Sequence, residues 1–291
     1  MTPRSIEFRH SDMTRLLMLE GNTLASQKQA KLLGVRTATE VYMHAISAHF
    51  PDIAMDVIHA ADRGQSMPHG RTFADYDGLV ISGSGLHAYD TSFEVINQIE
   101  VLKSFAETGK PILGSCWGLQ IAVIAAGGKV VKSPNGREIG FARKISLNTQ
   151  GRAHPFMAGK PTVYDAPCIH YDEIGELPAT ATLLSSNAHS QVQAAIIPLG
   201  QSEVWAVQYH PEFDLLQMRM LLTLYEQNMY DQNSMADKDS FKSYTQKLDT
   251  LANNPDDKAM AWQLGIDTDI TDDAIRRAEI INWVRHVISF A

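Results

Sequence analysis

Short apolar runs alternate with stretches of helical periodicity through the first 126 residues. The predicted strands lie at 15–20, 53–60, 76–82 and 111–115, and the predicted helices at 25–49, 92–107 and 117–126. This alternation is typical of βαβ units around a parallel sheet. From 129 to 209 the apolar runs are shorter and predict antiparallel strands added to that sheet.

The remaining residues predict helices. One helix is expected at 214–230, and the polar stretch 231–260 predicts a linker or solvent-exposed helices. Thr271 is expected to cap a last amphipathic helix, packed on the domain or on a partner. Its apolar positions recur at helical spacing: Ile275, Ala278, Ile281, Val284 and Ile288. We therefore expect a main domain over 1–230 and a C-terminal helical extension over 231–291.

Composition narrows the class of protein. With 44% hydrophobic residues and a net charge of -8, the chain predicts a globular protein without affinity for nucleic acid. No segment has the apolar length of a membrane span, and the N-terminal residues do not resemble a secretory signal. Two cysteines do not make a disulfide framework, so we expect a cytoplasmic protein with free thiols.

Cys116 stands where the fourth predicted strand meets a helix, in Gly114-Ser115-Cys116-Trp117-Gly118. This is the G-x-nucleophile-x-G form of a nucleophile elbow, in which glycines permit the sharp turn. Helix N-terminal N–H groups favour a thiolate there, and the N–H of Trp117 can point toward an oxyanion. The same pentapeptide also fits a buried structural cysteine.

His210 and Glu212 follow the last predicted strand in VWAVQYHPEF. Pro211 favours an extended backbone, in which alternate side chains project the same way. A carboxylate beside an imidazole fixes its tautomer, and such an imidazole can take the proton of a thiol. Since active sites of open α/β sheets lie at the carboxyl ends of strands, the pattern predicts a Cys116–His210–Glu212 triad.

With these motifs the sequence resembles the class I (triad) glutamine amidotransferases, in particular the GMP-synthetase-like branch, over about residues 15–225. PILGSCWGLQ is similar to that family's G-x-C-x-G-x-Q motif, and AVQYHPEF to its Q-[FY]-H-P-E motif. GREIGF (136–141) and HYDEIGELP (170–178) are similar to further stretches of the same branch. The resemblance implies a flavodoxin-like open sheet, mostly parallel, with antiparallel additions.

The resemblance also implies roles for individual residues. Cys116 would be the nucleophile, His210 the general base and acid, and Glu212 the group that orients His210. The implied substrate-binding residues are Gly83, Gln120, His170, Tyr171 and Asp172, the last two through their backbone. The implied oxyanion hole combines Trp117 with Ser84 or Gly85.

Two positions depart from the family pattern. Ser84 and Gly85 stand where the family has a Gly-Pro pair, and Ile169 stands where it commonly has a serine. Ile169 cannot hydrogen-bond through its side chain, so the departures bear on substrate choice.

Other interpretations of the polar residues are weaker. The loop 83–88 also fits the dinucleotide fingerprint, but the next strand ends at Cys116 instead of the acidic residue that holds a ribose. No metal-binding motif is present, so neither metal nor cofactor is expected. Cys168 is expected in the core, His170 in the core or the substrate pocket, and Glu20 in a solvated loop.

The expected function is hydrolysis of the γ-amide of glutamine or of a γ-glutamyl compound, a small-molecule substrate, through a γ-glutamyl thioester on Cys116. No ATP-binding synthetase motif is present. The alternatives are a glutaminase subunit that delivers ammonia to a separate synthetase, and an inactive binding protein on the same scaffold. The C-terminal extension would then dock a synthetase or a second copy of the chain.

Overall fold

The computed structural model describes residues 13–232 and 234–290. The strands are β1 Arg15–Leu19, β2 Ala54–Ile58, β3 Gly78–Ile81, β4 Ile112–Ser115, β5 Lys129–Lys132, β6 Glu138–Leu147, β7 Val163–His170, β8 Asp172–Glu176, β9 Thr182–Ser186, β10 Ala194–Leu199 and β11 Ser202–Val207. Residues 1–12, in which no secretory signal was predicted, lie outside the described residues.

The helices of the described residues follow the strands on both sides of the sheet. They are α1 Leu24–Leu32, α2 Ala38–Ser47, α3 Phe93–Ala106, α4 Trp117–Ala125, α5 Thr149–Ala153, α6 Leu215–Leu224, α7 Glu226–Asp231, α8 Lys238–Asn253, α9 Lys258–Leu264, α10 Thr268–Thr271, α11 Asp273–Arg276 and α12 Ala278–Phe290. None of them combines the length and apolar character that crossing a bilayer requires.

Nine strands form one sheet in the order β2-β1-β3-β4-β11-β10-β9-β6-β7. The five strands from β2 to β11 run parallel, and the pairs beyond β11 are antiparallel. β5 and β8 form a separate two-stranded sheet. The prediction of a mostly parallel, flavodoxin-like sheet with antiparallel additions is therefore confirmed.

Alternation along β1 shows how the sheet is covered. Leu17 and Leu19 belong to the apolar cluster that contains α3 and α4, whereas Leu16 and Met18 belong to the cluster on the opposite face. That second cluster includes α2 and the apolar side of α12, with Trp283 fully buried. Most of the apolar face of α12 thus packs on this chain itself, whereas the predicted apolar position Ile288 is exposed.

A buried ion pair also holds α12. Lys160 Nζ lies 3.1 Å from Glu279 Oε1, and both side chains are almost completely buried. The hydroxyl of Tyr209 donates to the same carboxylate, and Tyr164 and Tyr209 are joined by a 2.8 Å hydrogen bond. Tyr209 immediately precedes His210, so α12 is connected to the end of β11.

Several predicted elements need correction. The helix expected at 25–49 is two helices, because Gly34 adopts a positive φ after α1 and Thr37 starts α2 with a capping box. The stretch 231–260 is not a linker: α8 buries Phe241, Leu248 and Leu251. Asp272, not Thr271, caps the turn before α12, because α10 extends through Thr271.

Two other predictions, for Glu20 and Cys168, have clear outcomes, and one strand was missed. Glu20 does not lie in a solvated loop: it is fully buried and accepts hydrogen bonds from the backbone N–H and hydroxyl of Thr39. The strand β8, within HYDEIGELP, was not predicted. Cys168 is in the core, as expected, and burial raises the pKa of its thiol.

We predict that Lys160→Met lowers the free energy of unfolding by about 3–5 kcal/mol, because it leaves Glu279 charged and buried without its cation. Urea denaturation followed by circular dichroism measures the loss. The double variant Lys160→Met/Glu279→Gln buries no charge and should recover part of it. Equal stability of the single variant and the wild type would contradict this role of the pair.

Candidate active site

Cys116 lies at a tight turn between β4 and α4. Its backbone has φ 51° and ψ -95°, a left-handed φ that is uncommon outside glycine. A Cβ on Gly114 would lie 2.7 Å from the carbonyl carbon of Gly118, and a Cβ on Gly118 would lie 3.0 Å from the carbonyl oxygen of Ile81. Both glycines are therefore required by the close approach of strand and helix, as the elbow predicts.

The neighbouring strand brings His210 to the turn. The backbone N–H of Cys116 donates to the carbonyl of Val207 at 2.8 Å, and Val207 pairs with Ser115 in the sheet. The backbone N–H of His210 donates to Pro167 at 2.8 Å. The end of β11 is thus held between β4 and β7, which places the imidazole beside the sulfur.

Hydrogen bonding and ring stacking hold the imidazole of His210 in one orientation. His210 Nδ1 lies 2.6 Å from Glu212 Oε1, and the Ser115 hydroxyl donates to that same oxygen at 3.0 Å. The ring of Phe213 stacks on the imidazole at 4.0 Å. A Cβ on Gly83 would lie 2.7 Å from His210 Cε1, so this glycine makes room for the ring.

These contacts set the protonation of His210. Burial alone lowers its pKa, but the charge of Glu212 and hydrogen bonds with Cys116 and Glu212 raise it to about 10. The ring therefore carries a proton at neutral pH and faces the sulfur of Cys116.

Three of the predicted substrate-binding residues, Gln120, His170 and Asp172, meet at the backbone carbonyl of Asp172. Gln120 Nε2 donates to the carbonyl of Asp172 at 3.2 Å, and His170 Nδ1 lies 2.9 Å from the same oxygen. His170 Nε2 lies 2.8 Å from Glu138, whose pKa is lowered against the effect of burial by His170, Asn187 and Gln193. His170 is therefore both a buried, fully bonded ring and part of the pocket wall.

In the loop predicted to form the oxyanion hole, Ser84 and Gly85 already make hydrogen bonds to other residues. The N–H of Gly85 donates to Asn22 Oδ1 at 3.2 Å, and the Ser84 hydroxyl donates to the carbonyl of Gly21 at 2.8 Å. The indole of Trp117 donates to Gln98 at 2.8 Å, which fixes the first residue of α4. The backbone N–H of Gly85 is therefore already engaged by Asn22.

A cavity of about 520 Å³ opens above the sulfur. Most predicted site residues line it: Gly83, Ser84, Gly85, Cys116, Gln120, His170, Tyr171, Asp172 and His210. Glu212 and Trp117 lie behind this wall. Within the described ranges no group of three or more histidine, cysteine or acidic side chains is arranged to hold a metal ion.

Part of the cavity wall was missed from the sequence. Leu33, directly after α1, and Leu221 and Leu224 of α6 contribute apolar side chains, and Arg137 and Tyr225 form another part of the wall. The sequence carried one usable signal, since Arg137 lies within the GREIGF stretch that resembles the family. Residues of α1 and α6 carry no motif, because they line the site through packing alone.

A cysteine at a strand–helix elbow beside a buried His–Glu pair is the arrangement of cysteine-nucleophile hydrolases and acyl transferases. The chain belongs to the class-I glutamine amidotransferase family, whose model matches residues 42–223. A glutamine amidotransferase from Thermotoga maritima has the same fold, with a TM-score of 0.66 and 16% identity over 95% of this chain and 99% of its own.

Two relatives are hydrolases of γ-glutamyl compounds. The γ-glutamyl-L-1-hydroxyisopropylamide hydrolase of a Pseudomonas species is 28% identical over 94% of this chain and 93% of its own length. Gamma-glutamyl peptidase 3 of Arabidopsis thaliana is 32% identical over 48% of this chain and 55% of its own length. The protein is therefore a glutamine amidotransferase-like hydrolase, an enzyme acting on amides.

We predict that Glu212→Gln lowers the pKa of His210, because it removes the negative charge that holds the proton on the ring. A pH titration of the His210 ring by NMR measures the midpoint. Ser115→Ala is the matched control, since it removes a hydrogen bond to Glu212 but keeps the charge, and its shift should be smaller. An unchanged midpoint in Glu212→Gln would refute the assigned cause.

The same shift has a consequence for stability. The pKa of His210 is about 10 in the folded protein against an ordinary value of 6.5, so its bound proton stabilises the fold fully below about pH 6.5. That contribution is lost as the pH rises toward 10.

Proposed function

We propose that this enzyme hydrolyses the γ-amide bond of γ-glutamyl amides whose amine carries a carbon substituent. The observation that carries the proposal is that Cys116 and the hydrogen-bonded His210–Glu212 pair meet at a cavity of about 520 Å³, which Cys116 and His210 both line. This volume lies in the range of pockets that enclose whole drug-sized ligands. Ammonia as the leaving group would leave the part of the cavity lined by Leu33, Leu221 and Leu224 unoccupied.

Cys116 is the nucleophile in this proposal. Because His210 holds a proton, the sulfur attacks the γ-carbonyl carbon as a thiolate paired with the imidazolium. Collapse of the tetrahedral intermediate breaks the C–N bond, and His210 gives its proton to the departing amine. Water then attacks the thioester, its proton passes to His210, and L-glutamate leaves as the sulfur is restored.

Glu212 holds the ring of His210 in place during both proton transfers, with Ser115 fixing the carboxylate. The backbone N–H groups of Trp117 and Ser84 stabilise the oxyanion. Gln120, together with the backbone of Tyr171 and Asp172, holds the α-amino end of the glutamyl group. Gly83 and His170 shape the wall against which that group lies.

The leaving group faces the apolar part of the cavity. Leu33, Leu221 and Phe213 lie on its wall and match an alkyl or hydroxyalkyl amine better than ammonia. The Pseudomonas relative, which aligns over nearly the whole chain, acts on an amide of this kind by its name. A small-molecule amide is therefore the proposed substrate, and a reducing cytoplasm the proposed location, because it keeps Cys116 a free thiol.

A second candidate function is supply of ammonia to a synthetase partner. GMP synthases match this chain, for example at 29% identity over 50% of it. In this alternative glutamine is the substrate and the partner docks near the cavity. The packing of α12 on its own domain removes the most apolar predicted docking surface for a synthetase or a second copy.

We predict that the purified chain alone hydrolyses Nγ-ethyl-L-glutamine with at least tenfold higher kcat/KM than L-glutamine. Released glutamate is measured for both substrates, with Cys116→Ser as the control, which should lose at least a thousandfold in kcat. Preference for glutamine, or activity that depends on an added synthetase, would favour the second function. Unreduced activity of Cys116→Ser would refute the nucleophile.

A further inference from the structure

Arg137 is a cation in the cavity wall without a carboxylate partner among residues 13–232 and 234–290. Its Nε is buried and has no hydrogen-bond partner within the same residues. The other arginine in the wall, Arg36, is already engaged, because it forms a two-pronged contact with Asp214 at 2.7 and 2.9 Å. Arg137 as a whole is half-buried, but a buried Nε without a hydrogen-bond partner costs free energy, which a ligand bound there would offset.

The guanidinium of Arg137 is held between two aromatic rings. Its Cζ lies 5.1 Å from the ring centre of Tyr171 and 4.9 Å from that of Tyr225. Such cation–π contacts fix a planar guanidinium while leaving its N–H groups free to bind a carboxylate in two places. Lys132 Nζ lies 4.9 Å from the Tyr171 ring, which adds positive charge on this side.

The position of Arg137 fits the far end of a γ-glutamyl group. The carbonyl of Ile169 lies 3.8 Å from Cys116 Sγ, and the sheet register pairs Glu138 with His170, so that Arg137 flanks Tyr171. Two residues of extended chain from Ile169 to Tyr171 span roughly 7 Å. A γ-glutamyl group reaches roughly 5 Å from its acyl carbon to its α-carboxylate at ordinary bond lengths.

We propose that Arg137 binds the α-carboxylate of the γ-glutamyl group and so selects substrates with a free α-carboxylate. This assignment rests on the proposed γ-glutamyl hydrolase function. The α-amino group then lies at the backbone of Tyr171 and Asp172, and the γ-carbonyl at Cys116. Arg137 acts on the part of the substrate that is common to all γ-glutamyl amides, independently of the amine released.

Three substrates separate this role from others. Nγ-ethyl-L-glutamine has the α-carboxylate and a neutral leaving group, and γ-L-glutamylglycine adds a carboxylate on the leaving group. Nγ-ethyl-L-glutamine α-amide lacks the α-carboxylate. Steady-state kinetics are measured for the wild type, Arg137→Gln and Arg137→Lys, with Lys132→Gln as the matched control, since it removes an exposed cation beside the same ring.

Arg137→Gln should raise KM for both α-carboxylate substrates by the same factor, about 10- to 100-fold, with a smaller change in kcat. Arg137→Lys should give an intermediate increase in KM, because lysine keeps the positive charge but cannot bind a carboxylate through two parallel N–H groups. The wild type should discriminate against the α-amide, and Arg137→Gln should abolish that discrimination. The KM values of Lys132→Gln should stay within about twofold of those of the wild type.

Two results would overturn the assignment. A KM increase confined to γ-L-glutamylglycine would place the leaving-group carboxylate at Arg137, and unchanged KM values for all substrates would make the residue structural. Binding of L-glutamate, measured by calorimetry, needs no turnover and should weaken in Arg137→Gln by a similar factor. Failure of the wild type on every γ-glutamyl substrate would instead refute the proposed function.

Discussion

The close approach of β4 and α4 at Cys116 is the constraint on which the site depends. The strand reverses into the helix over one residue with a left-handed φ, and Gly114 and Gly118 are in contact across the turn. Backbone strain of this kind persists where the surrounding structure holds it and is concentrated at functional sites. Here the flanking parallel strands β3 and β11 hold it, since both pair with β4.

The C-terminal helices complete this arrangement. α12 covers one face of the sheet. Its Glu279 carboxylate accepts a hydrogen bond from the hydroxyl of Tyr209, the residue before His210. α6 supplies Leu221 and Leu224 to the cavity wall, and Tyr225, which joins α6 to α7, lies on the same wall. The part of the chain after the triad motifs therefore both supports the imidazole and shapes the space for the substrate.

Sequence motifs predicted the residues at the centre of the site. The residues of the outer cavity wall depend on tertiary packing and could not be predicted in this way. Cys116, His210 and Glu212 were predicted because the elbow and the His-Pro-Glu segment constrain residue type at fixed spacing. Glu20 was placed wrongly, since nothing in its local sequence shows that Thr39 from another element would bury it. Helices were one of the two alternatives for 231–260, but the burial of α8 was missed, although Phe241, Tyr244, Leu248 and Leu251 recur at helical spacing within its polar sequence.

The central claim is that Cys116 attacks the γ-carbon of a glutamyl group while His210 holds the proton. Diazo-oxo-norleucine, a γ-glutamyl-directed electrophile, tests this most directly, with peptide mapping by mass spectrometry to locate the adduct. The account predicts modification of Cys116 with Cys168 untouched, and loss of the labelling in His210→Ala. An intact Cys116 after exposure, or equal labelling of the two cysteines, would contradict it.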